Sequence, residues 1–164
     1  MGSSETKRSD NYIMKLTSQW IAGFVDGEGC FHVGYYKSGQ IQPEFTVVQH
    51  TRSIKVLYAL KSFFGCGSVR QQKPNLWYYR VRRRSDLLDT IIPFFEKNEL
   101  KTHKKVDFIR FRWITIQCSR NNHLNDEGLK WILRIRSLMN PMLRRAQRSG
   151  GILGSKELSE LEQS

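Results

Sequence analysis

Acidic residues are scarce in this chain: 15 Asp+Glu stand against 27 Lys+Arg over 164 residues, for a formal net charge of +12. Such a balance suits a partner rich in phosphates and says nothing about the fold. A basic ribosome-associated domain would carry the same balance. Cysteine is equally sparse. Cys30, Cys66 and Cys118 are odd in number and lack paired spacing, which excludes a zinc ribbon or disulfide scaffold and fits reduced thiols of a cell interior. The histidines, His32, His50, His103 and His123, do not cluster as zinc ligands. Asn121-Asn122-His123 stands outside the zinc-ribbon or ββα-metal setting of an HNH nuclease. No apolar run approaches the roughly 20 residues of a membrane span. The polar start MGSSETKRSDN has no signal-peptide centre, so no membrane partner is expected. The length suffices for one domain with its own core.

Against this background the stretch WIAGFVDGEG, residues 20 to 29, stands out. Gly23 and Gly27 are one helical turn apart, so they flatten one helix face enough for another backbone to approach. Asp26 and Glu28 then fall at the C-terminal end of the turn, where the helix dipole disfavours negative charge. A tight helix crossing inside one monomer and a symmetric pairing of two chains both fit the flat face.

Thr17 or Ser18 can cap this helix, which ends at Gly27 to Gly29. Residues 30 to 37 and 44 to 50 read as a hairpin across an SGQ turn. Residues 53 to 64 carry Val56, Leu57, Leu60, Phe63 and Phe64 at helical spacing, stopped by Gly65 and Gly67. The pattern then recurs. Strands at 68 to 73 and 76 to 83 flank a Pro74-Asn75 turn, and LLDTIIPFFEKN follows as a helix that Pro93 shortens or kinks. Two more helices are expected at about 102 to 117 and 126 to 139. The organisation expected is a loose lead over 1–16, one α+β domain over 17–146 and a flexible tail over 147–164. An antiparallel sheet with its helices on one face leaves the other face free.

On the strand 76 to 83, side chains alternate between faces, so Tyr78, Arg80 and Arg82 point one way. With Arg70 and Gln72 on the neighbouring strand they would offer forks and amides to phosphates and base edges. A half-exposed strand made soluble by cations would look similar.

Ile21-Ala22-Gly23-Phe24-Val25-Asp26-Gly27-Glu28-Gly29 resembles the signature of the LAGLIDADG homing endonucleases at nearly every position. The hairpin after it, the repeated β-β-α unit and the basic stretch Leu100-Lys101-Thr102-His103-Lys104-Lys105 fit the same resemblance, which covers 17 to about 140. Ile21 replaces leucine at the first position, and Glu28 replaces the last aspartate, moving the carboxylate out by one methylene.

The resemblance implies an α-β-β-α-β-β-α core with a saddle-shaped antiparallel sheet and C-terminal helices. A single motif implies a homodimer through Trp20, Gly23, Phe24 and Gly27. It implies Mg²⁺, with Mn²⁺ substituting, held by Glu28 and the Gly27 carbonyl, and a structural role for Asp26 at the helix end. Gln49 matches the position that orders water near the scissile phosphate. Lys101 matches the basic residue that positions solvent or neutralises charge, and Arg52 is assigned a phosphate or solvent-pocket contact. The expected activity is phosphodiester hydrolysis in a near-palindromic double-stranded DNA target of about 20 base pairs or more. The break has 3′ overhangs and serves intron mobility. Alternatives on the same fold are a maturase acting on intron RNA and a noncatalytic DNA-binding protein. The resemblance also leans to an organelle, chloroplast or mitochondrion.

Overall fold

A computed structural model describes residues 14–139 of the chain. Most of the expected lead, all of the expected tail and residues 140–146 lie outside the described residues.

Helix α1 (Ser18–Glu28) begins where expected, because the Thr17 side chain accepts the Trp20 N–H at 3.2 Å. It buries Ile21, Ala22 and Val25 and turns its other side outward. The chain passes directly into β1 (Gly29–Tyr35). A Cβ at Gly29 would lie 2.5 Å from Val25 Cγ1 and 2.8 Å from the Val25 carbonyl oxygen, so only glycine fits this join.

Strand β2 (Ile41–His50) pairs antiparallel with β1, Phe31 opposite Phe45. It starts three residues before the expected position, through Pro43. Proline is tolerated here because β2 meets β4 only from Phe45 onward, so no ladder bond is missing on that side. A short 3₁₀ turn (Thr51–Ser53) leads into α2 (Ile54–Phe64), which stops at Gly65 in the left-handed region, φ 67°.

The second hairpin, β3 (Ser68–Lys73) and β4 (Leu76–Val81), turns through Asn75 at φ 62°. Strand β4 then joins β2, giving the order β1-β2-β4-β3 with every pairing antiparallel. Lys73 faces Leu76 and Gln71 faces Trp77, so Gln72 occupies a bulge.

Pro93 is absorbed within a continuous helical path: α3 (Arg84–Asp86), a π-helical turn (Leu87–Ile91) and α4 (Ile92–Lys97). The wider turn just before the proline takes up the strain expected of it. Helix α5 (Lys104–Ser119) runs two residues beyond the expected end. A 3₁₀ turn (Asn122–Leu124) precedes α6 (Asp126–Leu138), whose Gly128 N–H is accepted by the Asn125 side chain at 2.7 Å.

The core lies between one sheet face and the helices. Phe31 is its hub, with ring centroids 5.2 Å from Phe45, 5.4 Å from Phe95, 5.3 Å from Phe108 and 5.2 Å from Phe111. Val33, Val47, Tyr79 and Val81 complete the sheet's inner row, and Leu57, Leu60, Ile91 and Ile114 close it from the helices. Contacts of this kind stabilise by area burial plus ring geometry, about 0.5–1.5 kcal/mol per aromatic pair beyond area alone.

Candidate active site and nucleic-acid face

Two acids end α1, and their partners differ. Asp26 turns to the segment before α5. Its carboxylate accepts the Lys101 N–H at 2.8 Å, the Thr102 N–H at 3.1 Å and the Thr102 hydroxyl at 2.6 Å. Burial pushes this carboxyl up, but those bonds and the nearby Lys104 charge outweigh it and hold it below the ordinary carboxylate range. Glu28 is exposed at the helix end. The Gln49 amide, from the penultimate residue of β2, donates to Glu28 Oε2 at 3.5 Å. The Lys104 ammonium reaches across to donate to the Gly29 carbonyl oxygen. A cation thus sits at the negative end of α1, which eases the charge that the two acids add there.

The second feature is the sheet face that no helix covers among the described residues. Strand alternation puts Tyr78 and Arg80 on it, with Arg70 directly opposite Tyr78. Arg82 follows two residues on, just past the end of β4. The Arg80 guanidinium lies 4.1 Å from the Tyr78 ring centroid. A hollow of about 380 Å³ opens among Ser68, Arg70, Tyr78, Arg80, Arg82, Arg83 and Asp86.

Residues 21–115 match the LAGLIDADG endonuclease family model, more than half of the chain. The chain belongs to the LAGLIDADG endonuclease family. It is 29% identical over 123 residues to probable intron-encoded endonuclease 2 of Neurospora crassa. That match takes in 74% of this chain and only 27% of that relative's length. Among solved structures it resembles the homing endonuclease I-TnaI, at 44% identity and a TM-score of 0.72, over 92% of this chain and 98% of that one. It also resembles the LAGLIDADG homing endonuclease I-GzeII in complex with its DNA target, at 30% identity and a TM-score of 0.75. There the match covers 78% of this chain and 45% of I-GzeII.

Within the LAGLIDADG helix the structure brings together part of the expected site. Glu28, Gly27 and Gln49 share the C-terminal end of α1, and Asp26 is occupied in tying that end to the α5 side. Trp20, Gly23, Phe24 and Gly27 make up the outward face. Trp20 is 43% exposed and stacks on Phe24 at 4.7 Å. A Cβ added at Gly23 or Gly27 would meet nothing within 4 Å, so among the described residues nothing covers the glycines.

Lys101 is placed differently. Its backbone is on Asp26, but its ammonium donates to Glu99 at 2.7 Å. Hydrogen bonds from Lys101 and then Lys105 bring the Glu99 carboxyl down to about 2. Arg52 is exposed in the turn after Gln49, its N–H held by His50 Nδ1 at 3.2 Å. Gln72 sits in the bulge beside Arg70.

Sequence reading missed two residues here. Lys104 was legible only as one lysine of a basic run, although its place two residues beyond the last Asp26 contact, Thr102, turns it towards α1. Glu44 is the first residue of the strand expected from sequence, where nothing local marks it. Its carboxylate accepts the Arg82 Nε–H at 2.6 Å and lies 3.8 Å from Arg80 Nε. That bond raises the Arg82 guanidinium further above its ordinary value.

Among the described residues no three His, Cys, Asp or Glu side chains gather as a metal cage. Glu28 alone, exposed at a helix end, fits an ion such as Mg²⁺, which takes one or two carboxylates and completes its shell with water and substrate phosphate.

Proposed function

We propose that this chain is a site-specific homing endonuclease, working as a homodimer that makes a double-strand break in a long, near-palindromic DNA duplex. The observation that carries this reading is the Gln49–Glu28 contact at the end of the LAGLIDADG helix, beside a bare glycine face and an open cationic sheet. The pairing of two chains is supported by the uncovered Gly23–Gly27 face and by this chain matching 45% of the I-GzeII chain, close to one of two such units. DNA as partner is supported by the net charge of +12 and by the arginines on the free sheet face. Two such faces about a twofold axis would span about 20 base pairs or more.

In this reading Glu28 and the Gly27 carbonyl hold Mg²⁺ or Mn²⁺, which when bound supplies Lewis acidity at the scissile phosphate. Gln49 positions the attacking water, since its amide can donate to one neighbour and accept from another. A lysine offsets the charge that builds on the phosphoryl oxygens and the leaving 3′ oxygen. Lys101 and Lys104 both come from the segment that Asp26 holds. We assign the larger share to Lys104, because its ammonium stands at the α1 end, on the Gly29 carbonyl oxygen, while that of Lys101 is on Glu99. Asp26 keeps this segment in place. Each protomer cuts one strand, and the products carry 3′ overhangs. Arg70, Gln72, Tyr78, Arg80 and Arg82 face the DNA, and Arg52 meets a phosphate near the cut. An intron-encoded origin and an organellar location are proposed from the intron-encoded relative.

Selection from a randomised duplex library tests the whole reading, run in Mg²⁺ and in Ca²⁺ with wild type and Glu28→Gln. Wild type is expected to cut one long near-palindromic site in Mg²⁺, and Glu28→Gln to bind it without cutting. Binding by wild type without cutting would make the chain a noncatalytic DNA-binding protein. Tight binding of a structured intron RNA, with no DNA cut, would make it a maturase.

A further inference from the structure

A carboxylate is an awkward group on a surface that meets phosphates, yet Glu44 points to the open sheet face and is only 9% exposed. It stands opposite His32 on β1 and one step before the last β2–β4 pair, Phe45 with Val81. Its Oε2 accepts the Nε–H of Arg82 and lies within ion-pair range of Arg80. The buried Arg80 Nε has no hydrogen-bond partner of its own, and its guanidinium rests over Tyr78. Gln42, two residues earlier in the same row of β2, donates its amide to the Arg82 carbonyl oxygen at 3.1 Å. Both the main chain and the guanidinium of Arg82 are therefore tied to β2, although the β4 ladder has ended at Val81.

The Glu44 bond takes Arg82 through Nε. It does not use the two terminal nitrogens, which are suited to forked contact with O6 and N7 of guanine. An arginine left loose follows the nearest phosphate, a contact blind to sequence. One held at its Nε is oriented before DNA arrives, and less freedom is lost on binding. The buried negative charge also lowers the pull of this patch on the DNA backbone.

We propose that Glu44 is a specificity-determining positioning residue, which presets Arg82, and with it Arg80, to read base edges and discourages both from serving as phosphate contacts. The inference rests on the DNA-endonuclease reading above.

The test measures binding of the full chain in Ca²⁺ across a salt series. The probes are the duplex that wild type selects, its single-base-pair variants, and a scrambled duplex of the same length. For Glu44→Gln the scrambled duplex should bind more tightly, and the slope of log K against log salt should steepen by about one contact. Discrimination should fall about tenfold at one or two adjacent base pairs of each half-site and hold elsewhere. Glu44→Asp, which keeps the charge but withdraws the carboxylate, should lose the same base pairs without the steeper slope. Adding Glu44→Gln to a chain that already carries Arg80→Ala and Arg82→Ala should cost no further discrimination. An unchanged base-pair profile in both Glu44 variants overturns the proposal. Equal weakening on every duplex, with a lowered melting temperature, overturns it too, because Glu44 would then be part of the scaffold. A wild type that prefers no duplex overturns the endonuclease reading as well, whereas discrimination by wild type with unaltered variants overturns this inference alone.

Discussion

Asp26 and Thr102, 76 residues apart in sequence, are joined by three hydrogen bonds of 2.6, 3.1 and 3.2 Å from one hydroxyl and one backbone N–H. With the Lys101 N–H as a further donor, the first acid of the motif fastens the end of α1 to the start of α5. Asp26→Ala should lower unfolding stability by about 1–3 kcal/mol, because backbone donors lose a charged acceptor. The sign of its pH dependence follows from the depressed carboxyl. The Asp26 contribution is fully present above the unfolded carboxylate value near 3.9 and fades as pH falls through the lower folded value. Denaturant titrations of both proteins should therefore differ by a constant amount from pH 5 to 8 and converge at acid pH.

The two lysines of the same segment should separate kinetically. Single-turnover cleavage by Lys104→Ala is expected to slow by about 10²–10³-fold, the usual loss when one preorganised donor is removed from developing charge. Lys101→Ala should slow it by less than about tenfold on the same scale. Melting temperatures serve as the control for folding, since Lys104 also holds the Gly29 carbonyl oxygen. The reverse order of rates would return the role to Lys101.

Gly23 offers a test that distinguishes a surface glycine from an interface one. A methyl there meets nothing among the described residues, so Gly23→Ala should strengthen α1 by about 0.5–1 kcal/mol if the chain acts alone. If two α1 faces pack together, bulk at this position separates them. Sedimentation velocity of Gly23→Val is expected to show monomers at concentrations where wild type is dimeric, with loss of double-strand cutting.

Gly29→Ala should be destabilising even though its backbone suits any residue. The added carbon would collide with the Val25 side chain and carbonyl, and overpacking of this kind costs about 1–3 kcal/mol. Thermal unfolding of the purified variant checks it.

Much of this architecture could be read in advance because its signals were local. Thr17, Gly65 and the Pro74-Asn75 turn act within a few residues of themselves, and the Phe31, Phe45 and Tyr79 rows obey strand alternation. Where reading stopped short, the deciding partner was distant. Strand β2 begins at Ile41 because Pro43 lies outside the stretch that β4 pairs, a matter of sheet order. Pro93 leaves the helix unbroken because the preceding turn widens, which no propensity announces. Glu44 and Lys104 look like ordinary surface charges until Arg82 and Gly29 are brought beside them by the fold. The Glu28–Gln49 pairing was legible only through the family signature, since nothing local links a helix end to a strand end 21 residues away.

The pleat of β2 and β4 sorts its residues into two rows that answer to different demands. Phe45, Val47, Tyr79 and Val81 are locked into the aromatic core, while Thr46, Val48, Tyr78 and Arg80 alternate with them and face outward. Substitutions in the outward row leave the ring cluster around Phe31 and the glycine helix untouched. On the endonuclease reading proposed above, the outward row could therefore be changed one side chain at a time to alter the address on the DNA while the site at the helix end stays as it is.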